Sequence, residues 1–330
     1  MAKFAFVFPG QGSQAVGMLA GFDGNPVVQQ TLQEAGDVLG FDIGTLMAQG
    51  PKEELDLTTN TQPVMLTAAV ACYRAWLAAG GAVPAFVAGH SLGEYSALVA
   101  AGVVSFADAL PLVRFRAQAM QEAVPLGQGG MVVVLGLSDD DVRAVCAQAE
   151  LDVAGGVVQA VNYNAPAQVV IAGGNEALER ACALAKEKGA KRAMKLPVSA
   201  PFHSSLLQPA SLRLQEYLQN VTLHAPQIPL INNVDVAIAT TPEAIRDALV
   251  RQAASPVRWV ETIQKMAREG VTRVTECGPG KVLTGLNKRI ETTIVADAVF
   301  DLASMEQVMQ ALSQADLQPD LQPNSQAVAA

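Results

Sequence analysis

Cysteine is scarce and scattered: the four residues Cys72, Cys146, Cys182 and Cys277 include no CxxC pair. Three of them fall in apolar helical patterns, which excludes a disulfide framework or a zinc ribbon and leaves reduced packing thiols; no metal site and no cofactor is expected. Half of the residues are apolar, yet no run reaches the roughly 20 uninterrupted apolar positions of a membrane helix, because Arg74 and a series of glycines break the longest candidates. Basic residues are outnumbered 22 to 31, for a net charge of −9. That balance excludes nucleic acid as a general partner, which needs a basic stripe, and any anionic partner must meet a local basic patch. Residues 1–9 hold one lysine and an apolar run too short for a signal-peptide core, so a cytoplasmic location is the default expectation. Histidine is scarcer still, with only His90, His203 and His224.

What is present alternates. At about 150 residues per domain, 330 residues suggest one large domain carrying a smaller one. An apolar run at 3–8 leads into Gly10-Gln11-Gly12, residues 63–79 read as a helix with Pro63 in its first turn, and a strand at 85–89 runs into Ser91 and a helix at 92–101. Between 130 and 199 the pattern becomes β-α-β-β-α-β, the split βαβ order of ferredoxin-like domains. Afterwards the first pattern resumes, with a short run at 228–231, helices opened by Thr241-Pro242 and Ser255-Pro256, and a strand at 271–276 before Gly278-Pro279-Gly280. The expected fold is α/β: a hydrolase-like core with a parallel sheet, residues 1–127 and 200–312, interrupted by a ferredoxin-like small domain at 128–199. Residues 313–330 lack periodicity and are expected to be a disordered tail.

Gly89-His90-Ser91-Leu92-Gly93 is a G-x-S-x-G sequence between an apolar strand and an amphipathic helix, the setting of a nucleophile elbow. Such a turn needs small residues two positions either side of the serine, and it aims the N–H of Leu92 at an oxyanion. The bland alternative is a chance match in a chain with 27 glycines. A nucleophilic serine needs a base. His90 adjoins the serine on a sharp turn, where neighbours point apart, and is expected to be structural. His224 lies in a loop entering a strand and reads as solvated. His203, after Pro201-Phe202 where the chain returns from the small domain, is the remaining candidate beside the reading of an ordinary loop histidine.

The motifs Pro9-Gly10-Gln11-Gly12-Ser13-Gln14, Gly89-His90-Ser91-Leu92-Gly93-Glu94, Arg116, Pro201-Phe202-His203 and Glu276-Cys277-Gly278-Pro279-Gly280 match, in this order, the malonyl-CoA:acyl carrier protein transacylases. The resemblance spans roughly residues 3–312 and extends to the acyltransferase domains of fatty acid and polyketide synthases. It implies a ping-pong transfer in which Ser91 carries the malonyl group, His203 is its base, and the backbone N–H groups of Gln11 and Leu92 form the oxyanion hole. It implies that Gln252 takes the place of the acidic third member of a hydrolase triad, holding the histidine ring through a neutral acceptor. Arg116 is implied as the clamp on the malonyl carboxylate. Arg114 competes for that role, but two residues on one helix point about 200° apart, so only one of the pair can face the pocket. Phe202 is similar to the malonyl-selective members, where bulk disfavours an α-methyl branch, and Asn162 and Asn164 resemble residues of the family's cleft.

The implied partners are malonyl-CoA and acyl carrier protein, with no nucleic acid and no membrane. Lys191, Arg192, Lys195, Lys281, Lys288 and Arg289 are candidates for the basic surface an acidic carrier requires. Readings from other classes are a serine esterase or thioesterase, and a carrier-binding subunit without activity. The pathway also stays open between fatty acid synthesis, a polyketide system and a malonate-degrading complex.

Overall fold

The computed structural model describes residues 3–198 and 200–317. Among these the strands are β1 (Lys3–Phe8), β2 (Phe86–Gly89), β3 (Gly129–Leu135), β4 (Val158–Ala165), β5 (Gln168–Gly174), β6 (Arg192–Lys195), β7 (Leu230–Ile231), β8 (Val271–Cys277) and β9 (Val295–Val299). Five of them form a sheet in the order β7-β2-β1-β8-β9, parallel at every pairing. The other four form an antiparallel sheet in the order β4-β5-β3-β6. The chain is thus mixed α/β with a parallel sheet, as expected.

The central strand β1 shows why the parallel sheet is covered on both faces. Phe4, Phe6 and Phe8 point to one side and enter the largest apolar cluster, where Phe6 meets Tyr73 and Trp76 edge-on. Ala5 and Val7 alternate to the other side and pack with Trp259, Ile263 and Leu283. The antiparallel sheet repeats this division. Val132 and Val134 of β3 pack with Val145 and Leu178 of the helices Asp139–Asp152 and Asn175–Glu187, while Met131 and Val133 join the main cluster. Each fully buried side chain of this size contributes about 1.5–3 kcal/mol, so the small sheet is fixed to the main body by its own pleat.

Three expectations change. The helix read from Pro63 begins at Thr58, with Pro63 inside it. The N–H of Asn60 and of Thr61 both reach Leu57 O and Thr61 Oγ1 reaches Leu55 O, which closes a first turn that proline itself could not. Ser255-Pro256 does not open a helix. The chain first runs extended, Val257 exchanging backbone hydrogen bonds with Val161 and Tyr163 of β4, and the helix starts at Trp259. Residues 313–317, expected in the tail, complete the helix Leu302–Leu317, because Met305, Val308, Met309 and Leu312 form an apolar stripe against the main core. The remainder of the expected tail, 318–330, lies outside the described residues. No helix among the described residues is long and apolar enough to cross a membrane.

Candidate active site

Between the end of β2 and the helix Gly93–Ala100 the chain must reverse within three residues, and Ser91 takes the strain, with φ at 53°. No side chain fits on either side. A Cβ on Gly89 would lie 1.9 Å from the carbonyl carbon of Gly93, and one on Gly93 would lie 2.0 Å from the carbonyl oxygen of Phe8. Both glycines of the motif are therefore required by backbone contact. The strain is offset by one amide: Asn233 Oδ1 accepts from the Ser91 N–H at 2.7 Å, and Asn233 Nδ2 donates to Gly89 O at 2.7 Å.

Ser91 Oγ lies 2.7 Å from His203 Nε2, across 112 residues of chain. The other ring nitrogen, Nδ1, is 2.9 Å from the backbone oxygen of Gln252. A carbonyl can only accept, so Nδ1 carries the proton and Nε2 is left to accept from the serine. Gln252 ends the helix Pro242–Gln252, where the last carbonyls lack intrahelical partners, which is why this oxygen is available. The neutral acceptor at the ring is thus the main-chain oxygen of Gln252 and not its side-chain amide. That amide is fully buried, accepting from Arg116 Nη2 at 2.9 Å and donating to Ser91 O and Glu94 Oε2, so it is sealed from the cleft instead of facing substrate. Burial, and then the positive charge of Arg116, pull the His203 pKa down to about 3, so the imidazole is neutral at physiological pH.

The two arginines separate as helical geometry requires. Arg114 is exposed and donates to Leu39 O, whereas Arg116 is 2 % exposed. Its Nη1 donates to Gln62 Oε1 at 2.8 Å and its Nη2 to Ser91 Oγ at 3.1 Å; the guanidinium also lies over the Tyr95 ring. The Nε of Arg116 is buried without a partner.

Gln11 sits in the loop after β1, its side chain held by Thr58. Gly10 allows this loop to press on the elbow: a Cβ there would lie 2.4 Å from His90 O. The backbone N–H of neither Gln11 nor Leu92 donates to another atom among the described residues, so both remain available to an oxyanion. Beside them opens a cleft of about 430 Å³, lined by Gln11, His90, Asn162, Asn164, Gln168 and Leu196 among others. Asn162 is nearly buried there with Oδ1 unpartnered. His90 is held by Asn164 and stands beside Trp259, in a structural setting, and His224 is exposed, as read from the sequence. Phe202 is buried in the main apolar cluster, next to His203, and is not among the cleft's lining residues. The six basic candidates at 191, 192, 195, 281, 288 and 289 are all exposed. The cysteines are free, three of them buried and Cys182 half-buried.

A strained serine in hydrogen-bond contact with a neutral imidazole, with two unpartnered backbone N–H groups next to the cleft that Gln11 and His90 line, is a geometry suited to acyl transfer. Residues 5–329 match the model of the acyl transferase domain. The malonyl CoA-acyl carrier protein transacylase of Escherichia coli K12 is 52% identical over 311 residues, covering 94% of this chain and 100% of the relative. The chain belongs to the malonyl-CoA:acyl carrier protein transacylase family. Among solved structures, an acyl-carrier-protein S-malonyltransferase from Burkholderia pseudomallei is 68% identical with a TM-score of 0.91, covering 93% of this chain and 99% of that one. A malonyl-transacylase in complex with a type II PKS acyl-carrier protein is 50% identical with a TM-score of 0.92, over 94% of this chain and 100% of that one.

Sequence reasoning missed three members of the site. Asn233 follows β7 in an Asn-Asn pair that carries no chemical signature. Gln62 lies in the helical turn whose start was misread. Glu94 was visible in the motif, but its burial was not: it accepts from Asn233 N and Gln252 Nε2, and burial raises its pKa to about 7 against the pull of those bonds.

Proposed function

We propose that this protein transfers a malonyl group from malonyl-CoA to the phosphopantetheine thiol of an acyl carrier protein, supplying fatty acid synthesis in the cytoplasm. In the first half-reaction Ser91 Oγ attacks the thioester carbonyl while its proton passes to His203 Nε2. The oxyanion is stabilised by the N–H groups of Gln11 and Leu92; the C–S bond then breaks, and the imidazolium returns the proton to the departing thiolate. In the second half the carrier thiol gives its proton to His203 and attacks the malonyl-serine ester, and the same proton restores Ser91 Oγ as the C–O bond breaks. Arg116 takes the malonyl carboxylate through two parallel hydrogen bonds, which sets the substrate class. Asn162 contributes an amide to the pantetheine-side wall, Phe202 supports the histidine, and Gln252 orients both His203 and Arg116.

The single observation that carries this reading is the 2.7 Å contact between Ser91 and His203 with a fully enclosed arginine on the same oxygen. The relatives' names support the choice of acyl group and carrier. Within the α/β fold, we read residues 1–127 and 200–312 as a hydrolase-like core and 128–199 as a ferredoxin-like insertion; the strand order β4-β5-β3-β6 supports the latter. The exposed lysines and arginines at 191–195 and 281–289 are proposed to meet the acidic carrier.

The test is intact mass of the enzyme after incubation with malonyl-CoA. A malonyl adduct, discharged by a holo carrier and absent from Ser91→Ala, is expected. Free malonate released at once without carrier makes the enzyme a hydrolase, and full labelling of the alanine variant removes Ser91 as nucleophile.

A further inference from the structure

Arg116 is bound to the very oxygen that must attack. Its three bonded partners, Gln62, Gln252 and Ser91, are all neutral, and its Nε has none. The buried Glu94 carboxylate acts on it only from beyond the Gln252 amide, so a guanidinium whose bonded partners are all neutral can still take an anion directly. A guanidinium offers a carboxylate two parallel pairs of N–H groups, Nε with Nη2 and Nη1 with Nη2, so either fork uses Nη2. Both hydrogens of Nη2 are already engaged, one by Gln252 Oε1 and one by Ser91 Oγ. Gln252 cannot give way, because its amide is fully buried and fixed by Ser91 O and Glu94. The bond that a carboxylate can displace is the one to the serine.

We propose that Arg116 restrains the nucleophile of the empty enzyme and that the carboxylate of the acyl group itself releases it. While the guanidinium donates to Oγ it draws on a lone pair needed for attack, and it opposes the positive charge that His203 must acquire. A carboxylate that takes Nη2 removes the first restraint and neutralises the second. Burial and the same charge already hold His203 well below its ordinary basicity, in agreement with this arrangement. The acyl group then acts as its own switch, and discrimination against uncharged acyl thioesters falls on the rate of acylation more than on binding. This inference rests on the malonyl reading above and adds a role for Arg116 in the absence of substrate.

The experiment uses an electrophile without a carboxylate, a neutral alkyl fluorophosphonate. Ser91 Oγ bonds to phosphorus, the P–F bond breaks, fluoride leaves and the serine proton passes to His203. Labelling rates are followed by intact mass for the wild type and Arg116→Gln, with and without formate, against chloride at equal ionic strength. We expect Arg116→Gln to be labelled about tenfold faster than the wild type, the equivalent of one hydrogen bond to a charged donor. Formate should accelerate the wild type and leave the variant unchanged. A folded variant labelled at or below the wild-type rate overturns the restraint, and so does a wild type indifferent to formate, an arm that decides the matter even where the variant does not fold. Malonyl-CoA run in parallel separates the two ideas: absence of a malonyl adduct defeats the proposed substrate, whereas an adduct with neither expected rate change defeats only the restraint.

Discussion

The two sheets divide the work unequally. The parallel sheet and the helices around it carry the strained serine at the end of β2, the Gln11 loop after β1, Arg116, and the carbonyl of Gln252 that meets the His203 ring. The antiparallel sheet supplies a wall of neutral amides, Asn162, Asn164 and Gln168, and hands the chain back at His203. One region holds strain and buried charge under tight backbone contact; the other is an ordinary pleated surface whose cleft side is polar. Substitutions in the first should therefore change the rate of chemistry and the stability, and those in the second should change binding.

Gly93→Ala is the severest test. In a plain helix the change is worth about 1 kcal/mol in favour of alanine. Here the new Cβ lies 2.0 Å from Phe8 O, the backbone of the central strand, which cannot yield. We expect a net loss of about 3 kcal/mol or more in urea denaturation and no acyl-enzyme by mass. A variant as stable and active as the parent would show that the elbow has slack. Asn233→Ala comes next. It removes the clamp on Ser91 N and Gly89 O, and kcat for malonyl transfer should fall about a hundredfold with KM little changed. A KM effect instead would place Asn233 with the binding wall.

The sequence made the unequal division only half legible. The elbow could be read because its requirement is local: two glycines flanking a serine between a strand and a helix. The antiparallel unit could be read because four apolar runs and two helical patterns, the first opened by Ser138, follow one another within 70 residues or so. What could not be read is contact between distant segments. Nothing near Asn233 announces that its amide will sit under Ser91, 142 residues away. The Val257 bridge overrode a good N-cap signal at Ser255-Pro256 because extended pairing with β4 came first. The Leu302–Leu317 stripe was obscured by the glutamines around it. The backbone role of Gln252 could not emerge from side-chain logic at all, since any residue there presents a carbonyl.

The buried titratable groups of the parallel-sheet region sharpen the comparison through pH. His203 binds its proton near pH 3 folded and near 6.5 unfolded, so protonation favours the unfolded chain and stability rises with pH across that window. For activity, kcat/KM of acylation should show no acid limb at 6.5 and stay level down to about pH 5; a limb at 6.5 would mean a solvated base. Glu94 acts in the opposite sense. Its folded pKa of about 7 lies above the ordinary 4.5, so the folded state holds the proton more tightly, and stability falls as pH rises between those values. Glu94→Gln keeps an acceptor for Asn233 N and Gln252 Nε2 without a charge. Relative to the wild type, it should gain on the order of 2 kcal/mol between pH 4.5 and 8, measured by urea midpoints. Parallel pH curves for the two proteins would place the Glu94 carboxylate in contact with water.

The smallest effect belongs to the other region. Asn162 sits on β4 at a break in register, 9 % exposed, with its Oδ1 facing no partner among the described residues. A pantetheine amide N–H is the donor that such an orphan acceptor suits, and one neutral hydrogen bond is worth about 0.5–1.5 kcal/mol. Asn162→Ala should raise KM for malonyl-CoA and for the carrier by about two- to tenfold while kcat holds within a factor of about two, because among the described residues its Oδ1 bonds to none of Ser91, His203 and Arg116. Both substrates should respond alike, since both present the same arm to the same wall. A fall in kcat with KM unchanged would join the two sheets into one catalytic unit and break the division between them.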